Sequence, residues 1–223
     1  MKHKPGKALA LAALALTVNT ATAADSVDVK VIGTIVPTAC KPEIAGGSTI
    51  DYGTIKASDI VLDDYTVLPR KTVDFTITCD APAKVSLKTI DVKSDSMVRP
   101  IGKNILTVVV TETTPLQGLG MDGTSKIGAY RMLLSGVTVD GGTSVKNLLS
   151  ADGGKSWSKP VYLWLSPDYI ASVGAAAGDN TPLAFTTLSG TFQLQAAINK
   201  GSELDLTKAV HLDGQSTVEL YYL

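Results

Sequence analysis

The chain has 223 residues, with 20 Lys and Arg against 21 Asp and Glu, a formal net charge of −1. With charges so balanced and no basic run, the composition excludes the electrostatic footprint of a nucleic-acid-binding protein. The two cysteines and, past the opening segment, a single histidine leave too few ligands for a zinc site built on Cys and His.

Residues 1–24 read as a secretory signal peptide. Lys2, Lys4 and Lys7 give a positive start, and Ala8 to Val18 form an apolar run. That run falls short of the roughly 20 residues of a transmembrane helix. Ala21-Thr22-Ala23 and Thr22-Ala23-Ala24 place small residues where a signal peptidase needs them, so cleavage is expected after Ala23 or Ala24. No later stretch has the length and apolarity of a membrane-spanning helix, so the mature chain is expected to be exported without a transmembrane segment. Removing three lysines from 20 basic residues leaves 17 against 21 acidic ones, a net charge of about −4. The remaining length, about 200 residues, suits one large domain or two small ones.

Residues 25–36 form an arm. Val27, Val29, Val31, Gly33 and Ile35 fall on one face of an extended strand, because side chains alternate with period two. Asp28, Lys30 and Thr34 fall on the other, with Ile32 the apolar exception. Gly33 interrupts the apolar face, and a glycine within a strand often marks close approach by another backbone. The strand reads as one made for insertion. Cys40 follows, and Cys79 is its one possible partner in the chain. In an exported protein this pair is expected to form a disulfide, with two free buried thiols as the alternative.

Residues 37–223 read as a single all-β domain. Ser48 to Lys56 suggests a short strand with a bulge at Gly53. Lys71 to Cys79 alternates, with Val73, Phe75, Ile77 and Cys79 on one face, and Asp80-Ala81-Pro82 reads as a turn. Lys84 to Ile90 resumes the alternation. Asn104 to Glu112 is rich in β-branched residues and reads as a buried strand. Leu116 to Lys126 reads as a loop, Ile127 to Leu134, Val137 to Val139 and Val161 to Leu165 as strands, and Ser172 to Pro182 as a loop. Leu188 to Ile198 and Ser216 to Leu223 alternate, the latter placing Val218, Leu220 and Tyr222 on one face. Asp-Gly pairs at Asp122, Asp140, Asp152 and Asp213 suit turns between strands. Many short strands with such turns argue a β-sandwich. There is no internal repeat and no low-complexity linker.

Sites for chemistry are few. Trp157, Tyr162, Trp164 and Tyr169 could form a sugar-stacking platform, although aromatics in strands more often pack in a core. Asp63-Asp64 lacks the spacing of a calcium loop. His211 is the one histidine after the signal peptide, and there is no Gly-x-Ser-x-Gly elbow. With both cysteines bridged no thiol nucleophile remains. No enzymatic activity, metal or cofactor is expected.

The chain resembles the pilin subunits of chaperone–usher fimbriae, in a divergent and enlarged fimbrial-like branch. The features carrying the likeness are the glycine seven residues before the first cysteine, in Gly33-Thr34-Ile35-Val36-Pro37-Thr38-Ala39-Cys40; the segment Ile50-Asp51-Tyr52-Gly53-Thr54-Ile55; the second cysteine at the end of an alternating strand; and the alternating C-terminus with a penultimate tyrosine. Two departures stand out. The region after Cys40 is longer than a usual major pilin domain, and Val210 stands where pilins commonly carry a glycine. The resemblance implies an immunoglobulin-like sandwich lacking its last strand, with an N-terminal donor strand. It implies that a periplasmic chaperone fills the resulting groove, and that an outer-membrane usher exchanges that filler for the donor strand of another copy or a related pilin. Val27, Val29, Val31 and Ile35 would then fill pockets and Gly33 a narrow point. Val218, Leu220 and Tyr222 would line the groove, and the Leu223 carboxylate would anchor to the chaperone. The implied role is structural, in a surface fimbria that supports adhesion, reached through the periplasm. The alternatives are a self-complete secreted β-sandwich that binds a ligand such as a glycan, and, more remotely, a hydrolase using scattered carboxylates.

Overall fold

The structure is a computed structural model that describes residues 30–34 and 38–223. Residues 1–24, read from the sequence as a signal peptide, and Val27, Val29 and Ile35 of the segment read as an arm lie outside the described residues. The chain divides into two units, Met1–Val36 and Pro37–Leu223. In the first, Lys30 to Thr34 take no regular secondary structure, and Val31 and Ile32 are exposed. No helix among the described residues is long and apolar enough to cross a membrane.

The second unit is nearly all β. Its strands are β1 (Cys40–Ile44), β2 (Thr66–Val67), β3 (Lys71–Ala83), β4 (Val85–Asp91), β5 (Asn104–Ile105), β6 (Val108–Val109), β7 (Gln117–Gly118), β8 (Met121–Asp122), β9 (Ser125–Lys126), β10 (Gly128–Val139), β11 (Thr143–Ser150), β12 (Leu163–Leu165), β13 (Ile170–Ala175), β14 (Phe185–Ile198) and β15 (Ser216–Tyr222). Two antiparallel layers are built from them. One has the order β1-β3-β14-β10 and the other β11-β13-β4-β15, and the β10–β11 hairpin joins them. Taking β1, β3, β4, β10, β14 and β15 as A to F, the first layer is the A-B-E-D sheet of an immunoglobulin sandwich, and the second ends in C-F. Beyond F no strand among the described residues takes the place of G.

The alternating segments dictate this packing. Phe75, Ile77 and Cys79 of β3 and Leu188 and Phe192 of β14 point from one layer, and Val85, Leu87, Ala171 and Val173 meet them from the other. Cys40 and Cys79 lie directly opposite in the β1–β3 ladder and are joined by a disulfide. On the opposite face of β10, Ala129 and Leu133 form a second core with Ala197 and with Ile105, Leu106, Val110 and Leu116. The extra length between β4 and β10 thus adds a third layer over the first sheet.

Several elements differ from expectation. Ser48 to Lys56 is not a strand, and Gly53 sits at φ +67 in an irregular segment. Asn104 to Glu112 is not one buried strand. It is the two-rung β5–β6 hairpin, turned by Leu106 and Thr107 at φ 51 and 67. Leu106 is fully buried and its N–H donates to Gln195 Oε1 at 2.7 Å, which holds a conformation that side chains normally avoid. Asp80-Ala81-Pro82 continues β3 rather than turning. The loop over Leu116 to Lys126 carries the short strands β7, β8 and β9. The two segments either side of Gly136 are one strand, β10, with a register shift between Ser135 and Thr138. Within Ser172 to Pro182 the first part belongs to β13, and β11 was not anticipated at all.

Candidate functional site

β1 pairs only with β3, and β15 only with β4, among the described residues. Each therefore presents one unpaired edge. The opposite margin of the first layer is covered, because β7 and β12 both pair with β10. Sheets blunt exposed edges in this way to prevent unwanted pairing, which makes the two bare edges conspicuous.

The bare edges meet at one end of the sandwich. There the Cys40 N–H donates to Tyr222 Oη at 2.7 Å, so a side chain rather than a backbone ladder bridges them. Beyond that point a groove opens, lined by Pro42 and Ile44 on the β1 side and Ser216 and Val218 on the β15 side, with a cavity volume of about 1400 Å³. Its floor is the main core: Phe75, Met132, Phe192 and Leu194. Two irregular segments wall it. Tyr52, Ile55 and Ile60 come from one, and Leu204, Val210 and Leu212 from the other, all packed on that core. Tyr52 Oη accepts the Ala196 N–H at 3.2 Å. Tyr130 and Ser216 hydroxyls bond at 2.6 Å, tying the floor to β15. Burial pushes the Tyr130 phenol up to about 12 and raises that of Tyr52, so both stay neutral at physiological pH.

Of the C-terminal residues singled out from sequence, Val218 lines the groove, while Leu220 packs on the core outside the lining. Tyr222 is half-exposed and spans the closed end. Leu223 is also half-exposed, and its N–H donates to the Lys84 carbonyl at 3.0 Å. In the arm, Gly33 has no atom within 4 Å of where a Cβ would stand. Tyr52, Ile55 and Val210 stood out in the sequence without a place in a groove, while Ile60, Leu204 and Leu212 did not stand out, because they follow no period and sit among polar residues.

The other candidates gather no site. Tyr162 and Trp164 pack edge to face with centroids 5.5 Å apart and lean on the second core, and Tyr169 packs on the first. Asp64 pairs with Lys103. His211 is exposed on the groove wall. Among the described residues no group of three or more His, Cys, Asp or Glu is arranged to hold a metal. What the groove offers is apolar surface flanked by two strand edges that no further strand among the described residues pairs with.

Residues 29–131, under half the chain, match a family described as a protein of unknown function (DUF1120). The chain is 24% identical over 237 residues to the uncharacterized protein YhcF of Escherichia coli (strain K12), covering 96% of this chain and 98% of that one. It is 28% identical over 249 residues to protein GltF of the same organism, with 95% of each covered. No solved structure matches it.

Proposed function

We propose that this chain is a structural subunit of a bacterial surface fimbria, exported to the periplasm, held there by a chaperone and polymerised at an outer-membrane usher by exchange of N-terminal strands. One observation carries the reading: an apolar groove lies between the unpaired edges of β1 and β15, where a seventh strand would complete the sandwich. A strand laid there gains backbone hydrogen bonds on both sides and buries alternate side chains. Each Val or Ile so buried is worth roughly 1.5–3 kcal/mol, so four of them make a long-lived joint.

The arm has the matching pattern. Val27, Val29, Val31 and Ile35 share a face, with Gly33 between them. The disulfide favours an oxidising compartment, in keeping with export. The subunit performs no chemistry of its own and holds no cofactor; its partners are other copies, related pilins, the chaperone and the usher.

The test is the purified exported chain at rising concentration. Ladders of oligomers that survive heating in detergent are expected on a gel. A monomer that never forms them, and that is recovered from the periplasm without a chaperone, would instead favour a self-complete binding module.

A further inference from the structure

The groove has one closed end and one open mouth. Tyr222 Oη closes the end at Cys40. The mouth lies at the Ser216 end of β15, and four exposed apolar side chains stand on segments that adjoin its lining residues. Val61 and Leu62, 50% and 63% exposed, follow the wall residue Ile60 directly, and their carbonyls accept the N–H groups of Gly201 and Ser202. Val92, 50% exposed, donates its N–H to the carbonyl of Gln215, which lies between two lining residues. Met121, 44% exposed, adjoins Asp122, which pairs with Lys208 of the wall at 3.1 Å. Each of the four leaves its apolar side chain to solvent beside the groove, where a second protein body would cover it.

We propose that this rim is the seat of a second copy of the chain. The base of the copy that donates its arm rests on Val61, Leu62, Val92 and Met121 of the copy that accepts it. The inference builds on the strand-exchange reading and adds a contact that reading does not contain.

The tether argues for the second copy. Only residues 36–39 separate Ile35 from Cys40, so an arm seated up to Ile35 holds its own β1 within roughly 18 Å. The closed end leaves the mouth as the exit. An arm leaving there runs antiparallel to β15, the more stable pairing, and brings its body down onto the rim. The end of the body that carries Cys40 also carries Tyr221, Tyr222 and Leu223, exposed by 42%, 51% and 49%. Rim and base are different surfaces, so the contact is heterologous and repeats from copy to copy.

The test compares the exported chain with its Leu62→Asp/Met121→Glu variant, both sites being exposed. Each is offered a synthetic peptide of residues 25–36, which carries the arm without a body, and each is allowed to form ladders on its own. The expectation is an equal rise in melting temperature with peptide for both chains, but ladder growth slowed at least roughly tenfold in the variant. Ladders at the unaltered rate would overturn the proposal. Loss of the peptide response in the variant would overturn it too, because the rim would then act on the groove itself. If the unaltered chain neither responds to the peptide nor forms ladders, strand exchange falls and this contact with it.

Discussion

At the scale of single residues, close approach and burial decide what can be changed. A Cβ at Gly118 would stand 2.0 Å from the Lys93 carbonyl oxygen and 2.4 Å from Ser96 Oγ. Gly118→Ala is therefore expected to cost about 1–3 kcal/mol by overpacking, read from the urea midpoint. Arg131 is 5% exposed and stacks 3.8 Å from the Trp164 ring centroid, with Nη1 unpartnered, and burial disfavours its charged form. Trp164→Ala removes the ring on which the guanidinium stacks and should destabilise by about 3–5 kcal/mol. Arg131→Met should be neutral or stabilising by about 1–4 kcal/mol, since a buried unpaired charge is costly. Asp152 accepts from Ser156 Oγ at 2.6 Å, from Ser150 Oγ at 2.7 Å and from the Ser156 N–H at 2.9 Å, and these bonds hold its carboxyl well below the usual range. A depressed carboxylate stabilises above its unfolded value, here near 3.8, and that support is lost as pH falls further. The stability measured in urea should therefore decline as pH falls below about 4, less steeply in Asp152→Ala, and Asp152→Ala should quicken exchange of the Ser156 amide at neutral pH.

At the scale of elements, β1 is held by one ladder and one disulfide. Replacing both Cys40 and Cys79 by serine should lower stability by about 2–4 kcal/mol, seen in urea unfolding, and should free the edge that walls the groove. The regular part of this architecture was legible in the sequence. β3, β14 and β15 alternate because each buries one face, so Phe75, Phe192 and Val218 announced themselves. The failures have physical causes. Val108 and Val109 look like the middle of a strand, but Leu106 and Thr107 turn the chain where Asn-Gly would have been recognised. Ser172 and Gly174 look like part of a loop, yet small residues are what the crowded β13 accepts. Gly174 has the Thr181 carbonyl 2.9 Å from its missing Cβ. The groove walls follow no period and become a site only once the two layers close.

At the scale of the whole molecule, the described residues stop one strand short of an immunoglobulin sandwich, which leaves a gap between β1 and β15. Its length suits the arm: seven residues of β15 span about 23 Å at the rise of a strand, close to the reach of residues 27–35. Its chemistry suits it as well, since the floor is apolar and the margins are backbone. The most direct measurement is hydrogen exchange on the exported chain with and without the peptide of residues 25–36, alongside a control peptide carrying Gly33→Lys. The account predicts slow, register-sensitive protection of amides in both β1 and β15 with the native peptide and little with the control. Unchanged exchange along both edges, or equal protection by the two peptides, would contradict it.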